Sequence, residues 1–260
     1  MSGLAVDLNS DLGESFGAYS IGDDSTILRL ITSANVACGM HAGDPRVMDD
    51  TVRASRELGV SVGAHPGFPD KVGFGRRTID ATPTEVETDV LYQIGALDAF
   101  VVANGLEMQH VKAHGALYNL AVAKPEVAAA IARAVTRYDR DLIFVVPVGS
   151  ALERAGLEAG LNVAREAFAD REYNGDATLV SRRVKGAVIS DPRAAADRAI
   201  RMIKEQVVTA VDGSSLPMKV DTICVHGDNP NAAEILHAIR ASLRDNGITL
   251  TNMRNVLSGS

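Results

Sequence analysis

The chain has 260 residues, and its 26 Lys and Arg residues against 33 Asp and Glu residues give a formal net charge of −7 at pH 7. An acidic chain is a poor ligand for the phosphate backbone of nucleic acids, which binds strongly positive surfaces. An apolar fraction of 46% is enough to bury a core, which excludes an intrinsically disordered protein. No apolar run reaches the roughly 20 residues of a membrane-spanning helix. We therefore expect no nucleic-acid partner and no membrane association.

The cysteines and the N-terminal sequence indicate the compartment. Cys38 and Cys224 lie far apart, each inside an apolar run, which is not the spacing of a disulfide framework. We expect two buried thiols in a reducing environment. No basic segment followed by an apolar one precedes Asp7, so no signal peptide is expected. The sequence predicts a cytoplasmic protein.

Short β-branched segments alternate with helical segments along the whole chain. The predicted strands cover residues 4–8, 34–38, 60–64, 110–113, 142–146, 161–165 and 222–225. Helix starts are predicted where a capping side chain precedes a proline, at Asp44-Pro45, Asp191-Pro192 and Asn229-Pro230.

One helix is predicted in more detail. Thr82 and Glu85 have capping-box spacing, and the apolar residues after them recur every three or four positions as far as Gly105. The last helix is predicted to end at Asn246-Gly247, because glycine readily adopts the left-handed conformation that closes a helix.

The alternation of strands and helices is typical of a parallel sheet covered by helices. No linker interrupts the alternation, so residues 1–260 are predicted to form a single α/β domain. At this length a closed β/α barrel competes with an open doubly wound sheet. The Gly-rich dinucleotide fingerprint is missing after the first strand, which favours the barrel.

Polar residues concentrate at the ends of the predicted strands. Four of the six histidines lie at, or a few residues beyond, the C-terminal ends of four different strands. In parallel α/β folds these ends meet at one mouth, so we expect the side chains to share a site there. The strand-end residues in question are Asp7, Asn9, Asp11, His41, His65, Lys112, His114, His226 and Asp228.

Several of these polar residues also have purely structural interpretations. Asp44 is placed to cap the helix that follows it, and Asp228 to cap the helix at Pro230. Asp7 is interpreted as a buried acid, which needs a partner because an unpaired buried carboxylate is costly. His110 opens its strand and is expected to be structural, and His237 is expected on a solvated helix face.

Two loops carry further charge. Arg76 and Arg77 follow the glycines of a GFGRR segment that lacks the spacing of a phosphate-binding Walker loop. Asp170 and Arg171 follow an apolar run. Each pair indicates either a site loop or an ordinary solvated, ion-paired surface.

The residue types support two kinds of hydrolytic chemistry. Imidazoles transfer protons near neutral pH, carboxylates position water, and Lys112 or Arg76 can stabilise an anion. The same groups can instead hold a metal ion that activates water. No HxxxH or HExxH spacing occurs, so a metal site would have to be assembled from separate strands. The residues alone leave both possibilities open.

Eight blocks of sequence closely resemble the LamB/YcsF family and together extend over nearly the whole chain. They are DLNSDLGESFGAY (7–19), ITSANVACGMHAGDP (31–45), GAHPGFPD (63–70), GFGRR (73–77), LYQIGAL (91–97), HVKAHGALYN (110–119), FADREY (168–173) and VHGDNP (225–230). The resemblance implies a seven-stranded parallel β/α barrel of the glycoside hydrolase/deacetylase type. It also implies ATP-dependent conversion of 5-oxo-L-proline to L-glutamate, in a complex with partner subunits B and C. ATP would enter as co-substrate with Mg²⁺.

With this chemistry in view, residue type and strand-end placement suggest individual roles. Asp11 and His65 are expected to transfer protons with the attacking water, and Lys112, His114 and Arg76 to hold a phosphate or the substrate carboxylate. The residues expected to line the pocket are Asp7, Asn9, His41, Asp170, His226 and Asp228. A transition metal is neither assigned nor excluded.

The resemblance is imperfect at three positions. Ala113 stands where the family pattern has a proline, and Ala177 and Ser181 stand where it has a glycine and then a proline. A looser loop near the site is expected from these changes. Two other functions stay open: a metal-dependent deacetylase or amidohydrolase, and a non-catalytic subunit whose partners do the chemistry.

Overall fold

The computed structural model describes residues 3–259. Its strands are β1 Ala5–Leu12, β2 Ser33–Ala37, β3 Ser61–His65, β4 His110–Val111, β5 Ile143–Pro147, β6 Asn162–Phe168, β7 Val207–Thr209, β8 Ser215–Pro217, β9 Thr222–Cys224 and β10 Thr249–Leu250. Its helices are α1 Asp24–Ile27, α2 Pro45–Leu58, α3 Pro83–Ala103, α4 Gly115–Ala123, α5 Pro125–Tyr138, α6 Ala151–Glu158, α7 Pro192–Glu205, α8 Ala232–Asp245 and α9 Met253–Ser258.

Strands β1 to β6 and β9 form a closed parallel barrel, which confirms the predicted seven-stranded architecture within residues 3–259. Closure occurs at β1, which pairs with β2 on one side and with β9 on the other. Strand β10 pairs only with the first two residues of β1, and β7 and β8 form a separate antiparallel hairpin. Because the barrel strands are parallel, their C-terminal ends open at the same mouth.

The first strand is longer than predicted. The strand expected over residues 4–8 continues to Leu12, so Asn9 and Asp11 lie inside it rather than after it. Alternation of side chains along a strand places Asp7, Asn9 and Asp11 on one face, and all three make contacts inside the barrel. The polar residue at every second position breaks the continuous apolar run by which a buried parallel strand is recognised. The predicted strand therefore ended too early.

Most predicted helix ends are confirmed. Asp44 and Asp191 accept hydrogen bonds from backbone N–H groups in the first turns of α2 and α7, and Thr82 forms the capping box with Glu85 at α3. Asp44 also accepts a hydrogen bond from a backbone N–H group outside the helix. Each of its two carboxylate oxygens therefore binds a backbone N–H group. Gly247 follows α8 in the left-handed conformation, with φ +65°.

The predicted helix start at Asn229-Pro230 is wrong. Helix α8 begins at Ala232, and the residue before it, Asn231, makes no capping hydrogen bond with its side chain. The Asn229 side-chain oxygen accepts a hydrogen bond from the Asn231 backbone N–H at 3.1 Å, in the turn before the helix. Its amide nitrogen lies 3.4 Å from a carboxylate oxygen of Asp170 at the barrel mouth. The side chain therefore serves both the turn before α8 and a buried acid that needs donors.

The apolar core fills the space between the barrel and its helices. Ile94 and Leu97 on α3, Ile131 on α5 and Phe144 on β5 are fully buried in one continuous cluster. Side chains of this size contribute about 2 kcal/mol each when buried. Within the described range, no helix combines the length and apolar character needed to cross a membrane.

Ala177 provides a test of backbone strain in the loop that departs from the family pattern. It has φ +66°, a conformation that costs a residue with a Cβ roughly 1 kcal/mol. We expect Ala177→Gly to raise the free energy of unfolding by about 0.5–1 kcal/mol in urea titrations. The same substitution at Ala129, inside α5, should lower it by about 1 kcal/mol. A destabilised Ala177→Gly variant would contradict this interpretation.

Candidate active site

A buried lysine organises the interior of the barrel. The ammonium group of Lys112, just beyond β4, lies 2.9 Å from Asp11 Oδ1 and 2.8 Å from Glu166 Oε1. It also contacts Asn9 Oδ1 at 3.3 Å and Cys224 Sγ at 3.2 Å. Its side chain is only 3% exposed. Lys112 is thus fully engaged with protein groups, which favours a role in holding Asp11 over direct contact with substrate.

Lys112 and Asp11 each stabilise the charged form of the other. Burial by itself lowers the pKa of Lys112, but the neighbouring acids, Asp11 first among them, outweigh it and raise that pKa well above its ordinary value. Burial likewise raises the pKa of Asp11, yet the charges of His65 and Lys112 together hold it well below its ordinary value. The centre of the barrel therefore carries an ammonium ion and an ionised aspartate.

Removing the lysine should expose the cost of the buried acids. We expect Lys112→Met to lower the free energy of unfolding by about 3–5 kcal/mol, because Asp11 and Glu166 lose their counter-ion. Adding Glu166→Gln to that variant should restore part of the loss. Arg53→Met, which breaks an exposed ion pair with Asp50, should cost under about 1 kcal/mol. Equal losses in chemical denaturation would refute the assignment.

Three histidines and a glutamate meet beside Asp11. His65, the last residue of β3, places Nε2 3.4 Å from Asp11 Oδ2 and 3.0 Å from His114 Nδ1. The His41 ring stacks on that of His114, with centroids 3.7 Å apart. Glu14 Oε1 lies 3.4 Å from His41 Nε2 and 3.6 Å from His114 Nδ1. All of these residues are buried, and the mouth brings them together from four separate segments.

Burial and neighbouring charges shift the pKa values of residues in this cluster. Burial, followed by the charges of Asp11 and Asp228, raises the pKa of Glu14 well above its ordinary value. Burial, together with neighbouring His65, lowers the pKa of His114 to about 3. Burial lowers the pKa of His41 as well. In this environment His41 and His114 are neutral imidazoles at physiological pH.

The loop after β3 shapes one wall of the cluster. Gln93 on α3 binds the backbone of Gly67 in both directions, accepting from its N–H and donating to its C=O at 2.9 Å each. The Phe74 carbonyl accepts a hydrogen bond from His114 Nε2 at 2.9 Å. Gly75 has φ +60°, and a Cβ there would lie 2.7 Å from Cβ of His41. Glycine is required at this position for the loop to approach the imidazoles.

A pair formed by one histidine and one aspartate lies across the mouth. His226 Nδ1 lies 3.0 Å from Asp170 Oδ1, and the His226 ring stacks on Phe168. One nitrogen of His226, Cys224 Sγ and a carboxylate oxygen of Asp11 all lie within 4.8 Å of one another. Burial raises the pKa of Asp170, but His226 and Asn229 outweigh it and keep that pKa below its ordinary value. Asp170 is therefore an ionised partner that orients His226 toward Asp11.

The rim of the mouth is rich in arginine. Asp228 pairs with Arg76 at 2.5 Å and with Arg182 at 3.4 Å. Its carboxylate therefore binds arginines at the rim and is not the helix cap considered from sequence. Arg171 is buried and donates from Nη2 to a backbone carbonyl at 2.6 Å. Burial, then the charge of Arg182, lowers the pKa of Arg171 to about 10. Arg77 is separate, since it pairs with Asp70.

Asp7 lies deeper in the barrel than the other predicted site residues. It lies four positions before Asp11 along β1, a distance of about 13 Å. Its carboxylate accepts hydrogen bonds from the hydroxyls of Thr32, Ser33 and Thr222 at 2.5–2.7 Å. Burial nonetheless dominates and raises the pKa of Asp7 to about 6. These hydroxyl groups are the hydrogen-bonding partners that were expected for a buried Asp7.

Stability should depend on pH through Asp7. The folded protein keeps the Asp7 proton up to about pH 6, whereas the unfolded chain loses it near the ordinary value of 3.8. The folded state then binds the extra proton, so raising the pH through this interval destabilises it by about 3 kcal/mol. Relative to wild type, Asp7→Asn should gain stability by this amount between pH 4 and pH 7. Asp23→Asn, at an exposed acid whose pKa is lowered, should show the opposite trend.

Sequence reasoning missed three residues of this network. Glu14 stands in the first of the family motifs but was not predicted for the site, and Asn35 and Glu166 were not singled out. Asn35 donates to Asn9 Oδ1 and Asp11 Oδ1, both at 2.8 Å, and Glu166 accepts from the Tyr118 hydroxyl at 2.9 Å. For Asn35 the available signal was its place as the single polar residue of the predicted strand 34–38. The predicted structural position of His110 agrees with its buried contact to Asn35.

The fold and the mouth together define a β/α-barrel protein with a polar site assembled from strand ends. A structure described as T48 deacetylase with substrate superimposes on 99% of this chain and 92% of its own, with a TM-score of 0.54 and 15% identity. At that identity the likeness concerns the barrel fold alone.

Sequence comparison is more specific. The sequence model of the LamB/YcsF family matches residues 6–258, and the chain belongs to this family. It is 54% identical over 250 residues to the A subunit of 5-oxoprolinase from Thermococcus onnurineus, covering 96% of this chain and 98% of that protein. The crystal structure of the lactam utilization protein from Thermus thermophilus matches with a TM-score of 0.91 and 48% identity, over 95% of this chain and 99% of that one.

Proposed function

We propose that this chain opens the lactam ring of 5-oxo-L-proline in an ATP-dependent hydrolysis that yields L-glutamate, as the A subunit of a 5-oxoprolinase complex with subunits B and C. The observation that carries the proposal is the ionised Asp11 at the barrel mouth, held by Lys112 and facing the His226–Asp170 pair. The shared name of relatives that match this chain over almost its full length supports the substrate.

The chemistry explains the need for ATP. A five-membered lactam is an unreactive amide, and phosphorylation of its carbonyl oxygen by ATP makes the ring carbon electrophilic. Water then adds to that carbon, the C–N bond breaks, and the nitrogen takes up a proton. A second water releases phosphate from the acyl phosphate. The products are glutamate, ADP and phosphate, from one ATP and two waters.

Two groups in the mouth suit the proton transfers. Asp11 is ionised and accepts a proton from the attacking water. His226, whose Nδ1 is bound by Asp170, delivers a proton to the departing nitrogen from its other ring nitrogen. An Asp11 oxygen and a His226 nitrogen lie within 4.8 Å of each other, so both groups can act on the same reacting centre. Lys112 acts as a positioning residue through Asp11.

Anion binding is assigned to the rim. Arg76 and Arg182 share the single carboxylate of Asp228, which leaves one positive charge uncompensated. A cleft concentrates local charge even when the whole protein is acidic. These arginines hold the substrate carboxylate or the phosphate, with Mg²⁺ accompanying ATP.

Reconstitution tests the proposal. Glutamate release from 5-oxoproline is measured with and without ATP, and with and without subunits B and C. We expect release only in the complete mixture. Asp11→Asn and His226→Gln should each reduce kcat by about a hundredfold or more, because a positioned acid or base contributes that much.

A matched control is available outside the site. His237→Gln changes an exposed histidine on α8 and should leave the rate unchanged. Full activity of the Asp11→Asn variant, with its fold verified by circular dichroism, would overturn the assignment. Glutamate release by this chain alone, without ATP, would overturn the proposed reaction itself.

The second function, a metal-dependent amide hydrolase, is favoured by one observation. Glu14, His41, His65 and His114 place one ligand atom each within 4.8 Å of one another. ATP-independent hydrolysis of an amide or acetamide substrate in the reconstitution assay would support that function instead.

A further inference from the structure

We propose that Glu14, His41, His65 and His114 bind one divalent first-row transition-metal ion at the barrel mouth. This inference goes beyond the proposed lactam hydrolysis, since it concerns a ligand set that none of the proposed proton transfers uses. The four residues come from the turn after β1 and from the ends of β2, β3 and β4.

The spacing of the four ligand atoms matches the size of such an ion. A tetrahedral Zn²⁺ ion with bonds of about 2.0–2.1 Å separates its ligand atoms by roughly 3.3 Å. The observed separations are 3.0 Å for His65 Nε2 to His114 Nδ1, 3.4 Å for His41 Nε2 to Glu14 Oε1, and 3.6 Å for His114 Nδ1 to Glu14 Oε1. The remaining separations are below 4.8 Å, so a single ion reaches all four atoms once the His41 ring has tilted.

Hydrogen bonds already orient two of the imidazoles as metal ligands. His65 Nδ1 donates to the Lys112 carbonyl at 2.8 Å, and His114 Nε2 donates to the Phe74 carbonyl at 2.9 Å. Carbonyl oxygens only accept, so each ring carries a proton on the nitrogen that faces the carbonyl. A metal ion would take the place of any proton on the other two nitrogens, His65 Nε2 and His114 Nδ1, which face each other. Metal-bound histidines characteristically donate their other N–H in this way.

The remaining two ligands lack partners that would satisfy them. Glu14 Oε1 and both nitrogens of His41 are buried without any hydrogen bond. Unsatisfied buried polar atoms are costly and need an explanation such as an ion. A proton shared between two atoms relieves one contact at a time, whereas a metal ion at the centre satisfies four atoms together.

One local adjustment accompanies binding. The His41 and His114 rings are parallel within 5°, so their in-plane lone pairs do not converge on one point until a ring tilts. His41 is the ring that moves, because no hydrogen bond holds either of its nitrogens. The backbone at Gly67 approaches closely enough that a Cβ there would lie 2.7 Å from His41 Nδ1.

The donor set selects the class of metal. Three imidazoles and one carboxylate suit Zn²⁺, Co²⁺, Ni²⁺ or Fe²⁺, whereas Mg²⁺ and Ca²⁺ require mainly oxygen ligands. Asp11 lies 3.4 Å from His65 Nε2 and adds a negative charge next to the ion. The set therefore combines borderline-soft ligands with charge compensation.

Cobalt binding tests the inference with an optical readout that does not depend on activity. The purified full chain is stripped with a chelator, titrated with CoCl₂, and desalted for elemental analysis. We expect about one Co²⁺ per chain and the intense visible absorption of a four-coordinate site. His114→Gln and Glu14→Gln should weaken binding more than about 100-fold, since even changes to residues behind the ligands weaken metal sites by about 10–100-fold.

The controls separate this inference from the proposed function. His237→Gln should bind cobalt as wild type does, and circular dichroism checks the fold of each variant. Wild-type protein that retains no cobalt after desalting, or gives only the weak spectrum of an octahedral ion, would overturn the inference whatever the variants do. Unchanged binding by His114→Gln would also overturn it. None of these outcomes alters the result of the lactam assay.

Discussion

The interior of this barrel depends on a buried ammonium ion that must have counter-ions. Lys112 is held between Asp11 and Glu166, and neither acid is tolerable in the core without it. The residues around the triad complete its hydrogen bonding, with Asn9 and Asn35 on one side and Tyr118 on the other. Barrels of this kind are usually filled with branched apolar side chains. Here a polar column replaces them and leads to the mouth.

Asp11 links that column to the two groups of histidines at the barrel mouth. Its Oδ1 accepts a hydrogen bond from the Lys112 ammonium group, and its Oδ2 lies 3.4 Å from His65 Nε2. A ring nitrogen of His226, which follows β9, lies within 4.8 Å of one of the Asp11 oxygens. One carboxylate thus borders both the proposed site of proton transfer and the proposed metal site. The loop containing Gly75 closes one side of this arrangement, and its glycine admits the imidazole rings.

The net charge of the protein differs in sign from the local charge at the rim of the mouth. The chain carries a formal charge of −7, yet Arg76, Arg171 and Arg182 gather where an anionic substrate would enter. The Ala177 loop, in which the chain departs from the family pattern, lies in the same segment between β6 and α7 and holds its alanine at φ +66°. The proposed binding of an anion depends on this local charge and not on the net charge.

The seven-stranded barrel was expected from the family resemblance. The sequence pattern by itself determined the alternation of strands and helices, most helix ends and the grouping of His41, His65, His114 and His226 at one mouth. These follow from periodicity, capping chemistry and the convergence of parallel strand ends, which are local or topological rules. Tertiary structure alone decided that β1 continues through Asp11, that the Asn229 amide contacts Asp170, and that Glu14 and Glu166 join the site. The reason is physical: the partners of a buried charge are set by distances across the barrel, and side chains over 100 residues apart in sequence meet there, as Lys112 and Asp11 do.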